Sequence, residues 1–276
     1  MKLGVFDSGL GGLLIAKSLH AALNDIDILY FGDTLHLPYG NRSSQAIYEY
    51  SKRAVDFMFS QDCALIITAC NTVSASALRQ LQQQYLPNSK YSDRRILGVV
   101  VPTLETAIDR GYKCLGVIAT NYTIQSNIYG QELHKIDPDI KIFQAHTPLL
   151  VPLIENEGEQ WLDSVLEHYL SHILDNDIEC LILGCTHYPF LKDKIRKIIG
   201  DDISLISQDE IIPLKLIDYL SKHREISQKI GNNGTMEFLV SDVTQGYLNA
   251  VKRIYNSEID VKQVQFDTTK NIYFRE

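Results

Sequence analysis

Three short apolar segments of this chain come round a second time, in the same order and at nearly one spacing. Leu3-Gly4-Val5 returns as Leu115-Gly116-Val117, 112 positions later. Tyr30-Phe31-Gly32-Asp33-Thr34, with Pro38 beyond, returns as Phe143-Gln144-Ala145-His146-Thr147 with Pro152 beyond, a shift of 113–114. Leu65-Ile66-Ile67-Thr68-Ala69-Cys70 returns as Cys180-Leu181-Ile182-Leu183-Gly184-Cys185, a shift of 115. Any one match between apolar runs is what chance supplies, but three collinear matches indicate a duplicated unit.

The unit is α/β. Apolar runs that read as strands cover Leu3–Asp7, Ile26–Gly32, Ala64–Ala69, Ile96–Val101, Cys114–Ala119, Ile140–Ala145, Cys180–Gly184 and Ile203–Ser207. Amphipathic stretches such as Gly12–Leu23, Arg42–Ser60 and Ser74–Gln84 lie between them and read as helices. Continuous Val/Ile/Leu strands separated by helices predict mainly parallel sheets buried on both faces. The expected architecture is two similar α/β lobes related by pseudo-twofold duplication, with the active site in the cleft between them. The first lobe is expected over 1–97 plus about 208–276, the second over 98–207. Ligands of such sheets sit outside the carboxyl ends of the strands, so chemistry is sought just after each strand.

Composition excludes several partners. A formal net charge of −8 over 276 residues offers no basic surface for phosphates, so nucleic acid is not an expected partner. The short run Lys194, Arg196 and Lys197 reads as the solvated face of a helix. No secretory signal precedes the first strand, and no apolar run approaches the ~18 residues that span a bilayer, so a cytoplasmic protein without a membrane partner is expected. Five cysteines with no C-x-x-C pair suit free thiols in a reducing compartment. Cys63, Cys114 and Cys180, at strand starts, read as small buried hydrophobes.

The other two cysteines are different. Cys70 and Cys185 occupy equivalent strand ends, so facing lobes would bring them to opposite sides of one ligand. Moving a proton from one face of a carbon to the other suits two acid–base groups, and a thiolate and a thiol can exchange those roles. A free thiol has a pKa of about 8.5, so such a site is expected to lower it. The means suggested locally is a helix N-terminus after each cysteine, Pro189 suiting the first turn after Cys185. Asp7-Ser8-Gly9-Leu10-Gly11-Gly12 follows the first strand and opens a helix, with glycines that admit a ligand to the backbone. It is neither a dinucleotide fingerprint, because Leu14 stands where the third glycine belongs, nor a P-loop. Asp7 reads either as a helix cap or as a partner for an ammonium group or a thiol proton. The Asp33 to Gly40 loop, with Pro38, reads as a fixed turn able to bind a carboxylate. His187 reads as an orienting or relaying group for Cys185. Cys185-x-His187 with Cys70 could also supply three zinc ligands, but no paired C-x-x-C or H-x-x-x-H spacing supports a metal. A Gly-x-Ser-x-Gly elbow is absent, so a serine hydrolase is excluded.

At these residues the chain resembles the glutamate racemase family, within the cofactor-independent aspartate/glutamate racemase superfamily. The resembling blocks are Phe6-Asp7-Ser8-Gly9-Leu10-Gly11-Gly12, Tyr30-Phe31-Gly32-Asp33 with Pro38-Tyr39-Gly40, Ala69-Cys70-Asn71-Thr72, Val117-Ile118-Ala119-Thr120, Pro148 through Glu155, and Gly184-Cys185-Thr186-His187-Tyr188-Pro189. The resemblance implies a racemase of L- and D-glutamate without pyridoxal phosphate or any other cofactor, supplying D-glutamate for peptidoglycan in a bacterial cytoplasm. It implies Cys70 and Cys185 as the proton-transferring pair, with Asp7 and His187 assisting. It implies Asp7, Ser8, Tyr39, Gly40, Asn71, Thr72, Thr186 and His187 as substrate-binding residues. Homodimers of differing arrangement occur in the family, so self-association is an expectation of the same origin. Aspartate or another small acid is the alternative substrate, and a binding protein that keeps the pocket without the reaction is the alternative of another class. The chain departs from the family pattern twice: His146-Thr147 stand where a cysteine is usual, and Ser207-Gln208-Asp209-Glu210 where Asp-Ser-Gly-Glu is usual.

Overall fold

The computed structural model describes residues 1–156, 158–256, 258–267 and 272–275, the last segments from 266 onward by their backbone. Among them the strands are β1 Lys2–Asp7, β2 Ile28–Gly32, β3 Cys63–Thr68, β4 Arg95–Gly98, β5 Cys114–Ala119, β6 Lys141–His146, β7 Cys180–Gly184, β8 Ser204–Ser207, β9 Met236–Val240, β10 Val261–Asp267 and β11 Ile272–Arg275. One sheet runs β11-β10-β9-β2-β1-β3-β4 and the other β6-β5-β7-β8. The pairings are parallel except that between β10 and β11.

The duplication is visible in the topology. The order β2-β1-β3-β4 inside the first sheet matches β6-β5-β7-β8. Registers match too: Leu3 lies opposite Ile28 and Leu65, and Leu115 opposite Ile142 and Cys180. These are pairs that the sequence repeat relates. Alternate residues of each strand feed opposite cores, as the twofold strand period requires. Leu3 and Val5 face one cluster with Ile28 and Tyr30, whereas Phe6 faces another with Leu29 and Phe31. In the second sheet Leu115 and Val117 join Cys180 and Ile182, and Ile118 joins Leu181 and Leu183. Both sheets are therefore covered on two faces. Cys63 and Cys180 are core residues, and half-buried Cys114 donates to the Asn176 carbonyl at 3.4 Å.

Three differences from the sequence reading have physical causes. The apolar run Ile96–Val101 is not one strand. β4 stops at Gly98 and the helix Val100–Asp109 begins, with Pro102 in the first turn, where a missing N–H breaks no helical bond. The helix expected over Ser74–Gln84 begins earlier, as Asn71–Ser76, and continues through Leu78–Gln80 into a π-helical Leu81–Tyr85. The strands β9, β10 and β11 went unread. Met236-Glu237-Phe238-Leu239-Val240 has a charge in it, and β10 interleaves Lys262, Gln263 and Gln265 with its apolar residues, so neither reads as a buried parallel strand. They extend the first sheet beyond β2 and make the two sheets unequal.

The chain passes to the second sheet and back. After β8 the helix Gln208–Lys222 packs Ile212 and Leu216 into the first sheet's core, while its Ile211 joins the second. The half-exposed Trp161 stands near the start of the helix Glu159–Leu174, whose buried Leu162, Leu166 and Leu170 pack on the second sheet. Among the described residues no helix is long and apolar enough to cross a membrane.

Candidate active site

The residues singled out in sequence come together where the carboxyl ends of β1, β3 and β7 meet. Asp7 ends β1, is fully buried, and accepts the Gly9 and Gly12 N–H groups through Oδ2, each at 3.0 Å. It thus holds the turn that starts the helix Gly12–Ala22, which is the capping role. Its other oxygen accepts the Thr186 hydroxyl at 3.3 Å, a contact from the second sheet's side. Burial raises the carboxyl pKa of Asp7, and the His187 charge, the two N–H groups and Thr186 oppose that rise. The loop carrying these groups touches the loop after β7. A Cβ placed on Gly11 would lie 2.4 Å from Thr186 Oγ1, 2.6 Å from the Thr186 carbonyl carbon and 2.7 Å from the His187 nitrogen. Only glycine permits this approach.

Cys70 follows β3 at the N-cap position of the short helix Asn71–Ser76. Its sulfur lies 3.4 Å from Ser8 Oγ, and the residue is 6% exposed. The expected lowering of its pKa is not what the site produces. Burial pushes the Cys70 thiol up to about 12, the charges of Asp7 and Cys185 push the same way, and Ser8 and the Val73 N–H pull against them. One short helix cannot outweigh the loss of water around the sulfur.

Cys185, also 6% exposed, follows β7 directly. A 3₁₀ turn, Tyr188–Leu191 with Pro189 in it, intervenes before the helix Lys192–Ile199. The Cys185 sulfur is 3.9 Å from His187 Nδ1, and His187 Nε2 is 2.8 Å from Glu155 Oε1. Burial disfavours an imidazolium here, but the Cys185 sulfur and the Glu155 carboxylate overcome it and raise the His187 pKa to about 10. The buried Tyr188 hydroxyl pairs with Thr147 Oγ1 at 2.5 Å, behind the cysteine.

The side chains of Thr72, Tyr39 and Asn71 make hydrogen bonds to protein partners. Thr72 Oγ1 meets Thr120 Oγ1 at 3.1 Å, and Thr120 packs against Gly40. The Tyr39 hydroxyl donates to Asp33 Oδ2 at 2.5 Å, so it is turned into the protein. Asp33 also accepts Ser241 Oγ at 2.7 Å and lies 2.8 Å from His36 Nδ1. The Asn71 amide is held by Gln208 and Tyr129. Sequence reasoning left Glu155, Thr120, Asp33 and Gln208 without individual roles. Glu155 carried a signal, being the acid that closes the Pro148 to Glu155 block, whereas Gln208 is brought in by the chain's return alone. Among the described residues no group of three or more His, Cys, Asp or Glu side chains is arranged to hold a metal ion. A cavity of about 620 Å³ lies away from the sulfurs, between the helices Val100–Asp109 and Gln208–Lys222 and beside Ser74 and Tyr219.

Known proteins are similar to this chain in sequence and in fold. The glutamate racemase of Geobacter metallireducens is 34% identical over 277 residues, covering 97% of this chain and 98% of that protein. The glutamate racemase of Francisella tularensis, solved in complex with D-glutamate, superposes with a TM-score of 0.84 at 33% identity, over 94% of this chain and 95% of the other. A glutamate racemase isoform of Bacillus anthracis superposes with a TM-score of 0.87 at 30% identity, over 96% and 97% of the two chains. Residues 15–209, which carry both cysteines and the whole second sheet, match the profile of the Asp/Glu/Hydantoin racemases. The doubled fold with a cysteine at each equivalent strand end, the relatives and the profile agree: the chain belongs to the Asp/Glu/Hydantoin racemase family.

Proposed function

We propose that the chain interconverts L- and D-glutamate by proton transfer at Cα between Cys70 and Cys185, without a cofactor. One observation carries the reading: two buried cysteines at equivalent ends of duplicated sheets each have a polar partner, and the Asp7–Thr186 bond joins the residue before Cys70's partner Ser8 to the residue after Cys185. The full-length relatives named glutamate racemase support glutamate as the substrate. The D-glutamate formed would serve peptidoglycan synthesis in the cytoplasm. The division into lobes at 1–97 with 208–276 and 98–207 belongs to the same reading, as does entry of substrate by parting of the lobes around sulfurs that are nearly sealed.

In one direction the Cα–H bond breaks as an S–H bond forms at one sulfur, and the carbanion takes a proton from the other sulfur on the opposite face. The thiolate has then moved from one cysteine to the other, and the reverse direction uses the roles exchanged. Before substrate arrives Cys70 holds its proton, because burial and Asp7 disfavour its thiolate. His187, kept as an imidazolium by the Cys185 sulfur and by Glu155, is the positive group beside Cys185 and would balance charge that forms there. Cys70 is thus placed to act as the acid in the first half of the cycle. Ser8 can donate to the Cys70 thiolate once it forms. Asp7 supplies negative charge for the substrate ammonium. The Thr72 hydroxyl, the remaining Asn71 N–H and the backbone at Tyr39-Gly40 and Thr186 supply donors for the two carboxylates. A self-associated form is a further expectation of family membership.

Incubation with L-glutamate in deuterium oxide tests the proposal. Purified protein should invert the circular dichroism signal and introduce one deuterium at Cα with nothing added. Cys70→Ala or Cys185→Ala should each slow inversion by roughly 10²–10⁴-fold, the range for loss of a positioned acid or base. Full activity in either variant ends the two-thiol account. Faster turnover of L-aspartate than of L-glutamate in parallel assays would move the assignment to the other substrate.

A further inference from the structure

We propose that Gln208 is a positioning residue for the Cys70 thiol: its side-chain amide latches Asn71, the residue after that cysteine, to the second sheet. The proposal rests on the two-thiol reading above. Asn71 Nδ2 donates to Gln208 Oε1 at 2.7 Å, and Gln208 Nε2 donates back to Asn71 Oδ1 at 2.9 Å. Two side-chain amides so paired fix each other's orientation, because each presents a donor and an acceptor in one plane. The Tyr129 hydroxyl donates to the same Asn71 oxygen at 2.7 Å and accepts from Gln208 Nε2 at 3.2 Å. Gln208 Nε2 also reaches Thr103 Oγ1 at 3.4 Å. The four residues are buried to within 2% of completeness.

The partners come from elements that pack on different sheets. Asn71 begins the turn after β3 in the first sheet. Gln208 begins the helix after β8, Tyr129 lies on the helix Ile128–Ile136 and Thr103 on the helix Val100–Asp109, and the last two helices bury Tyr129, Leu133 and Leu104 in the second sheet's core. The network thus crosses from one sheet to the other one residue away from a sulfur. With its oxygen bonded twice and its nitrogen once, Asn71 keeps one N–H for a ligand, in a direction that the latch determines. A buried network that is fully paired is rigid, and removal of one member leaves the others unpaired. Loosening the latch should free the Cys70 turn and leave Cys185, held by His187 and Glu155, as it was.

The test uses the full chain with Gln208→Ala and with Gln208→Glu, which keeps the side-chain length but removes the amide donor. Two readouts are taken: kcat and KM in both directions of glutamate racemisation, and the rate at which iodoacetamide alkylates each cysteine, followed by peptide mass spectrometry across pH. Each variant should lower kcat about tenfold, the effect of roughly 1.4 kcal/mol on the barrier, and shift KM much less. Cys70 alkylation should rise several-fold at a given pH while that of Cys185 stays at the wild-type rate. Should Gln208→Ala fail to fold, Gln208→Glu carries both readouts. Unchanged Cys70 alkylation, or an equal rise at both cysteines, overturns the latch, as does a wild-type kcat in both variants. A wild-type protein that leaves the α-proton of glutamate in place removes the racemase reading instead, and the alkylation arm then decides the latch alone.

Discussion

His187 is the residue on which the asymmetry of the site turns. Its ring joins a sulfur to a carboxylate, and both neighbours favour the charged form against burial. Glu155→Gln should therefore lower the His187 pKa and move the alkaline limb of kcat/KM to lower pH, with a loss of roughly 10–100-fold for removing one charged partner. A limb that stays in place would show that Glu155 does not govern the ring. The same shift has a consequence for stability. The folded protein holds the His187 proton up to about pH 10, whereas the unfolded chain releases it near 6.5. Its stabilising effect is complete below 6.5 and is lost as pH rises toward 10. Cys70, raised from 9.0 to about 12, adds a second loss above pH 9. Thermal unfolding followed from pH 6 to pH 10 should show Tm falling throughout that range in the wild type. In His187→Gln the fall should be confined to the alkaline end. At this scale the sequence disclosed the pair whose spacing is local, His187 two residues from Cys185, whereas the contact of Ser8 with Cys70 joins residues 62 positions apart and went unread. It did not disclose that Asp7 spends one oxygen on Gly9 and Gly12 and the other on Thr186, nor that Tyr39 and Asn71 face protein partners. Those partners, Asp33, Tyr129 and Gln208, lie on other elements, and the registers that bring them close are set by packing.

Between elements, the tightest approach is that of the loop after β1 to the loop after β7. Gly11→Ala would drive a methyl group into the backbone at Thr186 and His187. Overpacking of this kind costs about 1–3 kcal/mol, so Gly11→Ala should lower Tm and also reduce kcat, because the displaced backbone carries His187. Gly111→Ala is the matching control. That residue has φ +84° with open space around it, so alanine there costs only the left-handed backbone, about 1–2 kcal/mol. Gly111→Ala should lower Tm with kcat unchanged, and similar kcat losses in both variants would refute the contact argument. The elements themselves were legible where hydrophobic patterning is continuous: β5 and β7 lie over the residues read from sequence, and the helix Gly12–Ala22 falls one residue short. Legibility failed at β9 and β10, whose charges and glutamines interrupt the apolar pattern. It failed also at Val99–Val101, where one apolar run serves a strand end and a helix start.

Across the whole molecule, the seven-stranded sheet is completed by chain that has already visited the other half. β9 pairs with β2, a strand with every residue buried, and the helix Gln208–Lys222 packs its apolar residues on both sheets. A chain ending at Ser207 would expose β2 as a hydrophobic edge and remove Gln208 with the helix that carries it. Such a truncation should elute as aggregate and bind an apolar dye, and a monomer that unfolds cooperatively would refute this view of how the halves depend on each other. The duplication was readable because equivalent strand ends kept their spacing, while the inequality of the sheets was not, since the added strands have no counterpart in the repeat. The placement of Trp161 bears on how any of this is watched. It is the chain's one indole, half in water, on the half of the molecule built around β5 and β7. Its emission will already be shifted toward the red in the native protein, and it will report the smaller half while the larger one unravels unseen.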